Sequence, residues 1–362
     1  MAITKIEIPT NHKFIRPVMF TPEWFKVSPN MVSNYDTCQE IVVWKYAKGV
    51  AAKKRSIALP RGSTVHHAVR WDLYNQFHER YRMIHQEEPG SPRDVLSLAA
   101  YDFLAGELRD IAEEHNREFT PANAEEISML RYEYPGGYKR FGYGELLAQI
   151  STMSLSIYDY IIRNQIQPMI SPHTKLPMVE SELLFPLIID GEILDETFGE
   201  PTRVKCRIDL VDSNAGIIDW KATNTKARTP NFDAETNHAT VAYAAALLHH
   251  IPELAEQDEF DVRVVKAVTD KHGNPTDTFG DSTGYTLGIE EHVRTVTKDD
   301  INKLKIRYAS VAKRIKEMDL HKQDSWRCNM CEYKEVCIHG KTENFQIEKF
   351  ETSDDYEGSD GE

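Results

Sequence analysis

Apolar residues recur at helical spacing through the first half of the chain. Between Asp94 and Glu114 they return every three or four positions, which predicts one long helix. Upstream, a Leu-Pro-Arg-Gly run is typical of a turn. The predicted elements of this half, in chain order, are a helix from Ser33 or Asp36 through 41–47, the turn at 59–62, a helix from about Ser63, the helix Asp94–Glu114, a break at 135–137 and a helix over 145–166.

From Met178 onward the pattern changes to short apolar runs and alternation, which are typical of β-strands. An Asp-Gly pair within 188–193 predicts a hairpin, and Asp-Ser-Asn-Ala-Gly at 212–216 predicts a tight turn. This half predicts an α/β or α+β fold with one central sheet flanked by helices. Its elements are strands at Glu182–Ile189, Val204–Val211, Gly216–Lys221, Asp261–Val268 and Gly284–Ile289, and helices at Ala234–His249 and Asp299–Met318.

The charge of the chain is acidic and unevenly distributed. The 362 residues carry a net charge of −14, which argues against a basic protein that coats DNA but leaves a local basic groove open. Acids dominate 348–362, so we expect an acidic disordered tail over 346–362. The longest nearly apolar run, 239–248, is half of what a membrane span needs, and no signal peptide is visible. We expect no membrane partner and a cytoplasmic location.

Two aspartates and a lysine lie among apolar residues on one pair of predicted strands. Asp209 lies on the first strand and Asp219 on the second, and the turn between them can bring both carboxylates to one point. Strand side chains alternate, so Asp219 and Lys221 share a face. Converging carboxylates suit Mg²⁺ or Mn²⁺, and a nearby ammonium stabilises developing negative charge, as phosphodiester hydrolysis requires. A salt bridge is the alternative interpretation of the same residues.

The chain has five cysteines, three of which are spaced C-x₂-C-x₅-C at Cys328, Cys331 and Cys337. In an intracellular protein such a cluster favours a metal or iron–sulfur centre over disulfides. A fourth ligand is required: an iron–sulfur cube usually takes four cysteines, whereas a zinc site also accepts a histidine, such as His321 or His339. We expect Cys206 to be a buried free thiol.

The aspartate–lysine segment resembles the RecB-like branch of the PD-(D/E)XK nuclease superfamily. The core of that branch runs roughly G-x-x-D and then D-x-K, which Asp209, Asp219 and Lys221 match, with Cys206 in place of the Gly. The resemblance implies a restriction-endonuclease-like core sheet flanked by helices. It also implies that Asp209, Asp219 and Lys221 are catalytic and that the two aspartates, with the Trp220 carbonyl, bind the metal.

Two earlier elements of that branch can also be matched. Gly62 and His66 fit its Gly-x-x-x-His motif, which implies that His66 is a metal ligand. The branch has a Glu on the strand before the first Asp. Glu180 and Glu182 both qualify and are predicted to share a face, and Glu182 fits better as the catalytic residue.

A later element of the branch is a helix with the motif Gln-x-x-x-Tyr. Tyr243 fits its tyrosine and is the implied catalytic residue, but Ala239 stands at the Gln position, where His238 or Asn237 would have to substitute. Two basic residues after the catalytic lysine, Lys226 and Arg228, are candidates for phosphate contacts or for a solvated loop.

The cysteines resemble those of iron–sulfur nucleases in the same branch, which include AddB-type domains and the fourth CRISPR-associated nuclease family. The resemblance implies a 4Fe–4S cluster held by Cys38, Cys328, Cys331 and Cys337. It implies a nuclease domain over 1–345, with a helical insertion at 81–170 and a cluster-binding segment at 320–340.

The function implied is a Mg²⁺- or Mn²⁺-dependent DNA exonuclease that acts on single-stranded DNA or DNA ends in recombination, repair or DNA processing. One candidate of this kind is a phage exonuclease, for which the location would be the host cytoplasm. The partners expected are DNA and either a second copy of the chain or a recombination or helicase protein. The alternatives are a catalytically weak or inactive DNA-binding module of the same fold and a zinc-stabilised adaptor.

Overall fold

A computed structural model of the chain describes residues 25–52, 55–56, 58–73, 92–133, 142–223, 238–270, 272–275, 288–317, 319–321, 328 and 331–347. The chain divides into two compact units. Unit 1 comprises Met1–Lys53, Pro186–Val204 and Lys305–Glu362, and unit 2 comprises Lys54–Phe185 and Lys205–Leu304. Each unit is therefore built from segments that lie far apart in the sequence.

The described strands, in chain order, are β1 (Lys26–Val27), β2 (Val50–Ala52), β3 (Arg55–Ser56), β4 (Tyr132–Glu133), β5 (Val179–Pro186), β6 (Ile188–Ile189), β7 (Glu192–Ile193), β8 (Glu196–Thr197), β9 (Glu200–Pro201), β10 (Arg203–Val211), β11 (Ile217–Thr223), β12 (Glu259–Val268), β13 (Ile289–Thr297) and β14 (Phe345–Ile347). The described α-helices are α1 (Pro29–Thr37), α2 (Gln39–Val42), α3 (Ala58–Leu73), α4 (Pro92–Glu114), α5 (Ala124–Ser128), α6 (Tyr143–Arg163), α7 (His238–His250), α8 (Lys298–Lys316) and α9 (Lys334–His339). None of the described helices is long and apolar enough to cross a membrane.

A mixed sheet forms the centre of the α/β fold. In unit 2 its strands run in the order β10, β11, β12 and β13, and β5 pairs with β10. The β10–β11 hairpin is antiparallel, β12 is parallel to β11, and β13 returns antiparallel. In unit 1, β1 adds in parallel to the first two residues of β10. The predicted central sheet flanked by helices is thus confirmed.

Helices cover the sheet of unit 2. Helices α3, α4 and α6 pack together, and their apolar residues form one buried core with Ile218 and Trp220 of β11. Because strand side chains alternate, Asp219 and Lys221 project to the opposite face, where α7 packs against β11, β12 and β13. The alternation of β11 therefore separates the structural core from its charged residues.

Unit 1 has its own small core. Trp44, Val50, Tyr333, Val336 and Phe345 pack together, and β14 pairs with β2. The Tyr333 hydroxyl donates a hydrogen bond to the Val50 carbonyl at 3.0 Å. Residues near both ends of the chain thus build one apolar cluster.

The structure corrects two predicted elements at the start of the chain. The Leu-Pro-Arg-Gly run at 59–62 does not form a separate β-turn but belongs to the first turn of α3. Proline is tolerated there, because the first N–H groups of a helix have no partner within the helix. A Cβ added to Gly62 would meet no other atom. The early helix is interrupted at Cys38, which is extended, and continues through α2 into a π-helical turn at Val43–Ala47.

Strand β13 is a further correction. It begins at Ile289 and runs to Thr297, whereas we predicted a strand that ends at Ile289; 284–287 lie outside the described residues. Many residues of β13 are exposed or half-buried, so its polar sequence carries a weak apolar signal. The hairpin at 188–193 is confirmed, with Asp190 and Gly191 both at positive φ.

The domain boundaries stay predictions. The described parts of the predicted insertion, 92–133 and 142–170, are mainly helical. Of the predicted acidic tail, only residues 346–347 are described, as the end of β14. Residues 348–362 and the basic positions Lys226 and Arg228 lie outside the described residues.

Candidate active site

The β10–β11 hairpin fixes the two aspartates. Asp212 accepts hydrogen bonds at Oδ1 from the backbone N–H groups of Asn214 and Gly216, at 2.8 and 2.9 Å. A Cβ on Gly216 would stand 2.6 Å from Asp212 Oδ2, so a larger residue there would displace the carboxylate that closes the turn. The resulting register pairs Leu210 with Ile218. Strand positions 209 and 219 therefore oppose each other on one face.

Both aspartates are buried, at 6% exposure for Asp209 and 1% for Asp219. Asp209 Oδ2 accepts a hydrogen bond of 2.7 Å from the Trp220 N–H. One oxygen of Asp219, Oδ1, accepts a hydrogen bond of 2.7 Å from the Lys221 ammonium. The Tyr243 hydroxyl of α7 donates to the same oxygen at 3.4 Å. Asp219, Lys221 and Tyr243 therefore lie together.

A histidine and a glutamate complete the cluster. His66 of α3 has its Nδ1 atom 2.9 Å from Glu180 Oε1 and 3.5 Å from Asp209 Oδ1. Ligand atoms of His66, Glu180 and Asp209 all lie within 4.8 Å of one another. The adjacent His67 stacks on Phe103 instead, at 4.4 Å between ring centres. The structure therefore distinguishes the two neighbouring histidines, which differ by about 100° around the helix.

Glu180, and not Glu182, lies in this cluster. Glu180 adopts a positive φ of 50° within β5, and its side chain is 4% exposed. Glu182 is instead exposed and forms an ion pair with Lys205 at 2.6 Å. Glu180 also accepts from Arg207 at 2.7 Å. The sequence analysis missed Arg207, although alternation from Asp209 places it on the same face.

The electrostatics of the cluster are strongly coupled. Burial disfavours a charged imidazole, but Asp209 and Glu180 outweigh it and raise the pKa of His66 to about 10. For Asp209, burial is outweighed by His66 and Lys221, which lower the pKa of its carboxyl. For Asp219, burial together with Asp209 outweighs Lys221, so its pKa is raised. The cluster therefore favours the ionised form of Asp209 and the protonated form of Asp219.

The remaining charged groups respond to the same acids. Burial opposes the ammonium of Lys221, but Asp219 and Asp209 raise its pKa. Burial, with both aspartates, raises the pKa of Tyr243 well above its usual value. Lys221 is thus a cation and Tyr243 a neutral hydrogen-bond donor at neutral pH.

The sequence matches the model of a known protein family. A model of the PD-(D/E)XK nuclease superfamily matches residues 26–338, most of the chain. The chain belongs to the PD-(D/E)XK nuclease superfamily. None of the curated proteins with which the sequence was compared matches it. Membership makes the protein a nuclease of a superfamily whose enzymes use divalent metal ions and DNA.

The acidic cluster fits the divalent ion of the PD-(D/E)XK nucleases. Asp219 Oδ2 is buried and has no hydrogen-bond partner among the described residues, which is costly unless a cation satisfies it. Carboxylate oxygens of Glu180 and Asp209 and the imidazole of His66 offer further donors that Mg²⁺ or Mn²⁺ accepts. The donor set and its burial therefore suit a metal ion.

Two further residues named from the superfamily motifs can be placed relative to the cluster. The Trp220 indole lies in the apolar core and packs edge-on to Tyr160, so only its backbone faces the aspartates. Ala239 lies in the first turn of α7, one turn before Tyr243; Asn237 is outside the described residues. The metal-ligand role of the Trp220 carbonyl stays a prediction.

Four cysteines of this nuclease line one cavity in unit 1. The residues that line it are Cys38, Cys328, Cys331 and Cys337, together with Glu40, Ile41, Trp44, Tyr333, Lys334 and Ile338. Cys38 reaches it from the break between α1 and α2, and Cys337 from α9. None of the five cysteines, all of which are described, forms a disulfide. Cys206 lies apart, buried in β10, and burial raises the pKa of its thiol.

The cysteine cavity can be tested against zinc and a larger centre. Four sulfurs bound to one zinc ion at about 2.3 Å stand about 3.8 Å apart. Within the described residues, no three of these cysteine sulfurs lie within 4.8 Å of one another. His321 and His339 are not among the residues that line the cavity. Four cysteines at one cavity are the donor set that an iron–sulfur cube usually takes.

Proposed function

We propose that the protein is a Mg²⁺- or Mn²⁺-dependent DNA exonuclease of the RecB-like branch that acts on single-stranded DNA or DNA ends. The observation that carries the proposal is the buried meeting of His66, Glu180 and Asp209 beside Asp219 and Lys221. A binding module has no use for three buried carboxylates, one of which has an unsatisfied oxygen. The exonuclease mode and the substrate rest on the resemblance to the RecB-like branch.

Each residue has a role that follows from its position. His66, Glu180, Asp209 and Asp219, with the Trp220 carbonyl, would hold the divalent ion. Such an ion polarises a phosphate oxygen and makes a bound water a better nucleophile. Lys221 places a positive charge where negative charge develops on the phosphate.

Two further contacts hold these groups in place. The Tyr243 hydroxyl orients Asp219, and the Trp220 N–H orients Asp209. Arg207, through its ion pair with Glu180, balances the negative charge of the cluster. The side chains are thus preorganised by α7, β10 and β11 before DNA arrives.

The four cysteines are proposed to hold a 4Fe–4S cluster. They line one cavity although Cys38 and Cys328 are 290 residues apart in sequence, so a cluster would join both ends of unit 1. Its role is structural, since it cross-links α1 and α2 to the segment that carries α9. Pathway and partners are proposed by the same resemblance: DNA processing with a second copy or a recombination or helicase protein.

The proposal is tested by digestion of single-stranded DNA labelled at one end. Iron-loaded wild type is compared with Asp209→Asn and Lys205→Met, the latter a control in an exposed ion pair on the same strand. We expect Mn²⁺-dependent release of short labelled products by wild type and control, and none by Asp209→Asn or with EDTA. DNA binding without cleavage by wild type would overturn the enzyme and favour the binding module.

A further inference from the structure

Lys48 is a buried lysine of unit 1 that directly follows the π-helical turn. It is 1% exposed, and among the described residues its ammonium nitrogen has no hydrogen-bond partner. The nitrogen lies 3.8 Å from the centre of the Trp44 ring. A buried ammonium without hydrogen bonds is costly, so its position requires a compensating interaction.

The Trp44 ring supplies only part of that compensation. A desolvated cation–π contact returns only part of the free energy that burying an ion costs. Burial accordingly lowers the pKa of Lys48, while Glu40 and Cys337 oppose that change. Trp44, Glu40 and Cys337 all line the cysteine cavity. The groups that act on the Lys48 ammonium therefore belong to the wall of that cavity.

We infer that Lys48 is the fixed counter-cation of the metal–sulfur centre, acting from behind Trp44 on the negative charge that the four thiolates bring to the cavity. It is not a ligand. It is a positioning residue that acts on the charge of the centre through space. This inference rests on the proposed function, because it requires a metal centre held by the cysteines.

The charge argument fixes the sign of the effect. A cluster with four thiolate ligands has a net negative charge, and one-electron reduction makes it more negative. A fixed positive charge in a buried setting stabilises the reduced form more than the oxidised form. It also attracts the negatively charged centre as a whole, which helps to retain the metal in the cavity. Removing the charge therefore lowers the reduction potential and weakens metal retention.

The test compares loaded wild type with Lys48→Met, which keeps the length of the side chain, and with Lys48→Arg, which keeps the charge. Lys45→Met is the matched control, because Lys45 is half-buried on the same turn and lies near the Tyr46 ring instead. Each protein is titrated anaerobically with dithionite and mediators while visible absorbance and electron paramagnetic resonance are recorded. Iron release to a chelator is timed in parallel.

We expect a lower reduction potential and several-fold faster iron release in Lys48→Met, with Lys48→Arg and Lys45→Met close to wild type. An unchanged potential in a folded, loaded Lys48→Met protein would overturn the inference. If Lys48→Met does not fold, Lys48→Gln is compared with Lys48→Arg instead. Iron retained only by Lys48→Arg would support the counter-cation, whereas equal iron content and equal reduction potential in the two variants would oppose it.

Failure of the cluster itself is recognised separately. A colourless wild-type protein that contains zinc refutes the iron–sulfur part of the proposed function before any variant is compared. The same variants are then compared for zinc release to a chelator. Faster release from Lys48→Met would still support a counter-cation, and equal release would refute it.

Discussion

Replacement of Lys221 by methionine isolates the contribution of its positive charge to catalysis. The ammonium lies 2.7 Å from Asp219 Oδ1. A charge that develops about 4 Å from this ammonium, at an effective dielectric constant of about 20, interacts with it by about 4 kcal/mol. Loss of that interaction in the transition state slows the chemical step by about 10³-fold. Lys221→Met should therefore cleave DNA about a thousand times more slowly than wild type.

The assay is single-turnover cleavage of end-labelled single-stranded DNA at saturating Mn²⁺. Lys221 also opposes the raised pKa of Asp219, so its loss favours the protonated carboxyl and weakens metal binding at low pH. Saturating metal at about pH 8 separates the two effects. Lys205→Met is the control, since its exposed ion pair contributes little. A slowing of less than about tenfold, with an unchanged melting temperature, would refute the electrostatic role of Lys221.

Three further predictions follow from single residues. Glu180→Gln should weaken Mn²⁺ binding, measured by calorimetry, by about 10- to 100-fold, whereas Glu182→Gln should stay within about twofold of wild type. The reverse order of effects would identify Glu182 as the metal ligand. The pKa of His66 is raised to about 10, so its stabilising effect is complete below about pH 6.5 and is lost as the pH rises towards 10. His66→Gln should therefore lower the unfolding free energy of the metal-free protein by about 2–3 kcal/mol at about pH 6, and by less at about pH 9.5, in urea titrations; a pH-independent loss would contradict this. Gly273→Ala should lower the unfolding free energy by about 1–3 kcal/mol, because Gly273 has a φ of 83° and an added Cβ would stand 2.7 Å from the backbone carbon of Ala148. Gly106→Ala, at a position in α4 with free space around it, should be neutral or stabilising.

The central part of the site was predictable because local chemistry determines it. The turn at 212–216 fixes the register of the hairpin, and alternation then places Asp209, Asp219 and Lys221 on one face. Glycine at 216 is the residue that allows the Asp212 side chain to close the turn. Patterns that depend on neighbouring residues are therefore readable from the sequence.

The choice of glutamate was not predictable in the same way. Glu180 enters the site through a left-handed backbone conformation, which glutamate rarely adopts and which no sequence pattern marks. Tertiary contacts with His66 and Arg207 compensate for it. Alternation did not separate the two glutamates, and the choice of Glu182 rested on its fit to the motif of the RecB-like branch.

The interruption at Cys38 escaped prediction for a related reason. Apolar periodicity continues across it, and a single extended residue between α1 and α2 leaves too small a change in the pattern. Lys48 escaped as well, because lysine is rarely buried and the sequence gives no sign that Trp44 covers it. Long-range packing decides both positions.

The composition of unit 1 from three distant segments has a consequence for biosynthesis. Val50 leaves the ribosome 283 residues before Tyr333, its hydrogen-bond partner. At about 5–20 residues per second this is a delay of roughly 15–55 s. Cys38 spends that interval without the three cysteines that share its cavity. Unit 2 ends at Leu304, so its whole sequence is available first. Delivery of the proposed cluster to unit 1 would therefore be a late, essentially post-translational event.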